Sequence, residues 1–133
     1  MSNIFLTRLP YKIMDFNKTH LEKALHPNDL GKLLVSRANS GDVEGLVALY
    51  EGDAVLVINK EGKIAKGHQE IRTFYTDLLS KKPTFEKGKQ KLALRNGDLA
   101  LTSSRLVNGT ITGEVARLQL DNTWLWIIDE PNM

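Results

Sequence analysis

Glu114 and Asp129 are the residues of this chain whose types and spacing best suit chemistry. They lie at the two ends of a stretch in which apolar and polar residues alternate, with RLQLDNTWLWIIDEP over residues 117–131. Alternation of that kind reads as two strands, and Asp121-Asn122 as the turn between them. Taken as a two-residue hairpin loop, the turn sets Leu120 against Thr123, and the pairing runs back to Glu114 against Asp129. Successive side chains point to opposite faces. One face then carries Glu114, Ala116, Leu118, Leu120, Leu125, Ile127 and Asp129, and the other Val115, Arg117, Gln119, Trp124, Trp126 and Ile128. Directly opposed like charges are destabilising. Two acids on an apolar face either share a proton or pair with a cation. Burial would raise one pKa and make that carboxyl a general acid or base near neutral pH. The alternative is an exposed pair at a sheet end, or a salt bridge with no chemistry.

Two further polar residues join the acids. A turn at Asn108-Gly109 puts Leu99, Leu101, Ser103 and Arg105 on the face of Glu114. If the loop is Asn108-Gly109, Ser103 opposes Glu114; if it is Gly109-Thr110, Arg105 does. The opposite face has Arg117 against Trp126, a cation–π arrangement. Its two tryptophans need cover, and a subunit interface is the expected one.

Other chemistries find less support. His20, His26 and His68 do not share a helical face at metal-ligand spacing, and no zinc, calcium or phosphate-loop pattern occurs, so neither metal nor cofactor is expected. Ser103-Ser104 has no histidine on its strand and no nucleophile elbow. The lysines 81, 82, 87, 89 and 91 read as a solvated loop and a guarded strand edge rather than a nucleic-acid surface. A net charge of +2 does not argue for nucleic acid or an anionic membrane. The chain has no cysteine, which excludes thiolate chemistry and fits a reducing compartment. No window approaches the roughly 18 apolar residues of a membrane span. The start lacks the long apolar run of a signal peptide, and the expected home is the cytoplasm.

The elements that must position these residues form one domain, the prior for 133 residues. Residues 1–27 read as an N-terminal arm, in which residues 1–18 are apolar but irregular, broken by Pro10, and expected to cover a core edge or to bury themselves on a partner chain; residues 28–133 read as the domain proper. A helix starts at Asn28-Asp29 and ends at Gly41; Asp42 caps a second helix, whose apolar set includes Tyr50. A strand over 54–58, a turn over 59–62 and a return strand over 63–66 follow. Gly67 precedes a third helix near 69–79. Strands are expected over about 87–96, 98–108, 111–120 and 123–129. Helices followed by an antiparallel meander make the class α+β.

The pieces ANSGDVEGLVALYEGDAVLV (38–57), GKIAKGHQEIRTFYTDLL (62–79), GDLAL (97–101) and RLQLDNTWLWIIDEPN (117–132) resemble, in order and spacing, the SnoaL-like and nuclear-transport-factor-2-like superfamily. The likeness covers about residues 28–132. It implies a cone, with helices packed on a curved, mainly antiparallel sheet and a pocket between them. It also implies frequent homodimers through the outer sheet face, here expected at Trp124 and Trp126. Members are isomerases, cyclases, dehydratases, hydrolases, or binding and dimerisation modules without chemistry, so fold does not fix function.

The ketosteroid isomerases of this superfamily, a well-known case of pKa tuning, use an Asp base with a Tyr and a protonated Asp. Laid on this chain, the base position falls at Ile58 and the tyrosine position at Leu34, so that reaction is not expected. The protonated-acid position falls at Glu114, and Tyr75 matches a pocket tyrosine. The resemblance thus implies a small, partly apolar ligand, with Glu114 and Asp129 as catalytic acids. Tyr75, Ser103, Arg105, Ile127, Ile58 and Leu34 are the expected ligand contacts.

Overall fold

The structure is a computed structural model that describes residues 22–133. The apolar stretch expected to cover a core edge or a partner, residues 1–18, lies outside the described residues.

Helix α1 (Asp29–Asn39) follows Pro27 and buries Leu30, Leu33 and Ala38 at helical spacing. Helix α2 (Val43–Val47) is a short piece capped by Asp42, whose carboxylate accepts from the Gly45 amide at 2.9 Å. The connection is locked by Arg37, a buried residue that donates through Nη1 to the carbonyl of Gly45 at 2.7 Å and through Nη2 to the carbonyl of Glu22. A Cβ at Gly45 would stand 2.1 Å from Asp42 Oδ2 and 2.9 Å from Arg37 Cδ. Gly45→Ala should therefore destabilise the protein by about 1–3 kcal/mol, as overpacking does, although alanine is the better helix former. Urea denaturation of the variant checks this.

Strand β1 (Tyr50–Val57) pairs antiparallel with β2 (Ile64–Lys66) and parallel with β8 (Trp124–Glu130). Tyr50, expected on the second helix, instead opens β1, because α2 stops at Val47. Helix α3 (Gly67–Ser80) packs on β1 and buries Ile71 and Tyr75, one turn apart on one face. The meander then runs through β3 (Lys89–Gln90), β4 (Leu94–Asn96), β5 (Leu99–Thr102), β6 (Ser104–Arg105), β7 (Gly113–Leu118) and β8. The main sheet has the order β2-β1-β8-β7-β5-β4, while β3 and β6 pair separately. The two long strands expected over 87–96 and 98–108 are each broken, at Lys91–Ala93 and at Ser103.

Both expected hairpin turns differ from the two-residue loops read from the sequence. The loop after β6 is Val107–Gly109, closed by Leu106 N to Thr110 O at 2.8 Å, with Gly109 at φ +88. The loop after β7 is Leu120–Asn122, closed by Gln119 N to Thr123 O at 2.7 Å, with Asn122 at φ +66. Each is a three-residue loop ending in a left-handed residue, a role that suits glycine and asparagine. Asp121 holds the second loop by accepting from the amide and the hydroxyl of Thr123.

A one-residue slip turns every side chain to the other face. Between β5 and β7 the observed partner of Glu114 is Thr102, and that of Ala116 is Ala100. The even-numbered residues of β5 therefore face inward, and Leu99 and Leu101 face out. Between β7 and β8 the slip puts Leu118 against Trp124 and Ala116 against Trp126. Trp124 and Trp126 are consequently core residues, 2% and 3% exposed, and not the outer face expected of them. Arg95 reaches Trp124, its guanidinium 5.0 Å from the ring centroid. Arg117 lies away from Trp126 and pairs with Glu51 at 3.0 Å. A β-bulge then adds Ile127 between Trp126 and Ile128, and the pairing resumes with Val115 against Ile128 and Glu114 against Asp129. The acids meet as expected because two departures from a plain hairpin offset one another.

Candidate functional site

The concave side of the sheet and helices α1 and α3 enclose a cavity of about 600 Å³. Its apolar wall includes Leu34, Val35, Leu56, Phe74 and Leu78; its polar part includes Tyr75, Thr102, Glu114 and Asp129. Each polar residue arrives by a different element. Asp129 comes from β8, Glu114 from β7, Thr102 from β5 and Tyr75 from α3. Tyr50, at the head of β1, ties them together. Its hydroxyl donates to Asp129 Oδ2 at 2.6 Å and shares a hydrogen bond of 2.7 Å with the Tyr75 hydroxyl. Because Tyr50 gives its proton to the carboxyl, Tyr75 must be the donor between the two phenols. The order Tyr75→Tyr50→Asp129 is thus fixed when Asp129 accepts. The carbonyl of Tyr50 accepts from His68 Nε2 at 2.7 Å, which pins the strand head to the first turn of α3.

The electrostatics follow from burial. Asp129 is 4% exposed, and desolvation pushes its pKa from 3.8 up to about 7. The Tyr50 hydrogen bond opposes this shift, while the charges of Glu114 and Glu130 add to it. Glu114 is also raised by burial, held back by hydrogen bonds from Thr112 and Thr102, the latter at 2.7 Å. Burial raises both tyrosines, and the charge of Asp129 pushes them further up, so both phenols stay protonated. The result is a carboxyl able to give or take a proton near neutral pH, backed by neutral donors.

Of the residues expected in the site, Glu114, Asp129, Tyr75 and Leu34 line the cavity. Ser103, Arg105, Ile127 and Ile58 do not. Ser103 donates to the carbonyl of Thr112 at 2.6 Å, and Arg105 is exposed on β6 beside Lys89. The three-residue loop turns both from Glu114, whose partner is Thr102. Ile127 is the extra residue of the bulge, and Ile58 closes the β1–β2 turn through Lys63. Sequence reasoning missed Tyr50, Thr102, Thr112 and Trp126. Tyr50 was legible in the spacing Tyr50, Ala54, Leu56, three buried positions of β1, had the five-residue length of α2 been suspected. Nothing in the local sequence marks Thr102 once the loop is misread.

No protein-family model matches the sequence, and a search of curated proteins finds no match. Solved structures do match. A proposed calcium/calmodulin-dependent protein kinase type II association domain from Thiobacillus denitrificans superposes with a TM-score of 0.65 at 10% identity, over 82% of this chain and 95% of that one. A domain of unknown function with a cystatin-like fold from Nostoc punctiforme gives 0.62 at 20% identity, over 79% and 74%. A SnoaL-like protein of unknown function from Burkholderia thailandensis gives 0.55 at 13% identity, over 77% and 88%. Likeness at these identities shows the fold, which is the α+β, NTF2-like (cystatin-like) cone. No helix among the described residues is long and apolar enough to cross a membrane.

Proposed function

We propose that the cavity binds a small, partly apolar metabolite and that Asp129, with Glu114 beside it, moves a proton on that ligand. The observation that carries this reading is the buried Asp129 carboxyl at the cavity wall, held by Tyr50 through one oxygen, with Glu114 across the strand pair. Tyr50 occupies Oδ2, which leaves Oδ1 for the ligand. A carboxyl at about 7 is present in both protonation states near neutrality, as isomerase, cyclase or dehydratase chemistry requires. General acid–base help of this kind is typically worth about 10²–10⁴-fold in rate. Thermal stabilisation by a metabolite panel, at pH 6 and pH 8, tests the reading in wild type, Asp129→Asn and Glu114→Gln. A compound that stabilises wild type and loses its effect in Asp129→Asn is the expected result. A compound bound equally by all three proteins would place binding away from the acids.

A second reading, a non-catalytic binding or dimerisation module, has its own support. The outer sheet face carries an unbroken cross-strand row, Leu94, Leu101, Val115, Ile128 and Val55. Leu94, Leu101 and Ile128 are 70%, 51% and 46% exposed. Such a row is self-complementary, and one matching structure is named for association. A homodimer would then use this row rather than Trp124 and Trp126. Sedimentation of wild type against Leu101→Glu should show a dimer converted to monomer; an unchanged mass would remove the row from the interface.

A further inference from the structure

The chain between α3 and β3 forms one side of the cavity and is fastened to α1 at two points. Thr84, Phe85, Glu86, Lys87 and Gly88 all line the cavity, and each is exposed or half-buried. This single thickness of chain is therefore a boundary between the cavity and solvent. It leaves α3 at Lys82, whose φ of +51 lies in the left-handed region, and Pro83 follows. Among the described residues, the backbone hydrogen bonds of residues 83–88 are those that Asn39 makes with Phe85. The Phe85 amide donates to Asn39 Oδ1 at 2.8 Å, and Asn39 Nδ2 donates to the Phe85 carbonyl at 2.9 Å. One asparagine side chain at the end of α1 thus stands in for a neighbouring strand. Both bonds are exposed, where water competes for them. The Phe85 ring packs partly on the core and favours the closed position.

The far end is held more firmly. Lys89 and Gln90 pair with Arg105 and Ser104, and the Lys91 amide donates to the carbonyl of Ser103 at 2.9 Å. Asn28, at the start of α1, donates to the carbonyl of Lys91 at 2.9 Å. A Cβ at Gly88 would stand 2.9 Å from the carbonyl oxygen of Arg105, so the chain lies close on β6 there. Asn28 and Asn39 stand about 16 Å apart along α1, given its rise per residue. The chain from Phe85 to Lys91 reaches about 20 Å when fully extended. Little slack remains between the two fastenings, so the stretch between them cannot swing out while both hold.

We propose that residues 83–88 are a lid on the cavity, swinging between Lys82 and Gly88, and that Asn39 is its latch. Releasing Asn39 frees Phe85 from the wall, while β6 keeps the other end in place. Such a lid governs access to the cavity, whatever the cavity binds.

The chain has no cysteine, so a thiol placed at Leu34, a half-buried lining residue of α1, reports on access alone. Leu34→Cys protein is treated with dithiodipyridine, a small uncharged thiol reagent, with and without Asn39→Ala, at several low urea concentrations. The thiol should react more slowly than in the unfolded chain. Asn39→Ala should speed it about tenfold, the worth of one hydrogen bond or slightly more. Low urea should change either rate little, because lid opening exposes far less surface than global unfolding. Asn28→Ala should leave the rate unchanged, since β6 still holds that end. In the unsubstituted protein, the Phe85 amide should exchange its hydrogen faster than the Leu33 amide of α1, by a route insensitive to urea. That measurement stands even if a variant does not fold. A thiol that reacts as fast as in the unfolded chain would mean that the cavity stands open without a lid. Equal rates with and without Asn39, a rise that steepens with urea, or an equal rise in Asn28→Ala would remove the latch. Phe85 exchange in step with Leu33 would remove the lid itself.

Discussion

Wild-type protein should lose stability as pH rises from about 4 to about 7, and Asp129→Asn should not. Asp129 titrates near 3.8 when unfolded and about 7 when folded. Between those values the folded state binds the proton and the unfolded state does not, so rising pH favours unfolding. The contribution is fully present below pH 3.8 and has gone once pH passes about 7. A displacement of that size corresponds to on the order of 4 kcal/mol across the window. Glu114, also raised, acts in the same direction. Tyr50 on β1 and Tyr75 on α3, which face Asp129, stay protonated throughout and add no slope. Asparagine cannot ionise, so its curve should cross the wild type and lie above it at pH 8. Chemical denaturation of both proteins between pH 4 and pH 8 measures the two curves. Parallel curves would mean that Asp129 is solvated in the folded protein, and the case for its acid–base role would go with them.

Trp124→Ala should cost about 3–5 kcal/mol, the range for truncating a buried tryptophan, and leave the oligomeric state untouched. The ring is 2% exposed, faces the core from β8, and is covered by the Arg95 guanidinium. Its amide also donates to the carbonyl of Ala24 at 2.9 Å, so the residue anchors the entry of the chain onto the sheet. Had Trp124 lain on an outer interface, truncation would have altered association more than the monomer's stability. Urea titration with sedimentation at the same concentrations separates the two. A loss below about 1 kcal/mol would contradict core placement of the ring.

The helices were legible because their signals are local. Pro27 and Asp29 start α1, Asp42 caps α2, and apolar residues recur at Ile71, Phe74, Tyr75 and Leu78 in α3. The α+β order and the fold followed from these and from the alternating strands. The faces of the strands were less legible, since they depend on loop length. Asn108-Gly109 and Asp121-Asn122 announce turns but do not say whether two or three residues span them. That ambiguity moved Ser103 and Arg105 into the site and Trp126 out of it. Glu114 and Asp129 came through because the bulge at Ile127 restored their pairing, which no residue type in the strand announces. Tyr50 was hidden by a different cause. Its neighbours Val47 and Leu49 suit a helix as well as a core strand, and tertiary packing decides between them.

Ile127 has a consequence for how such a site can change. Removing it would leave Trp126 inward, Ile128 outward and Asp129 inward, because the residues on either side already alternate in step. What the extra residue supplies is bend and twist in β8, and so the hollow against which α1 and α3 close. The acids set the charge and protonation of the wall, and one uncharged insertion helps set how much the cavity can hold. Capacity and wall chemistry can therefore be altered independently, by editing the length of a strand in one case and the identity of a residue in the other.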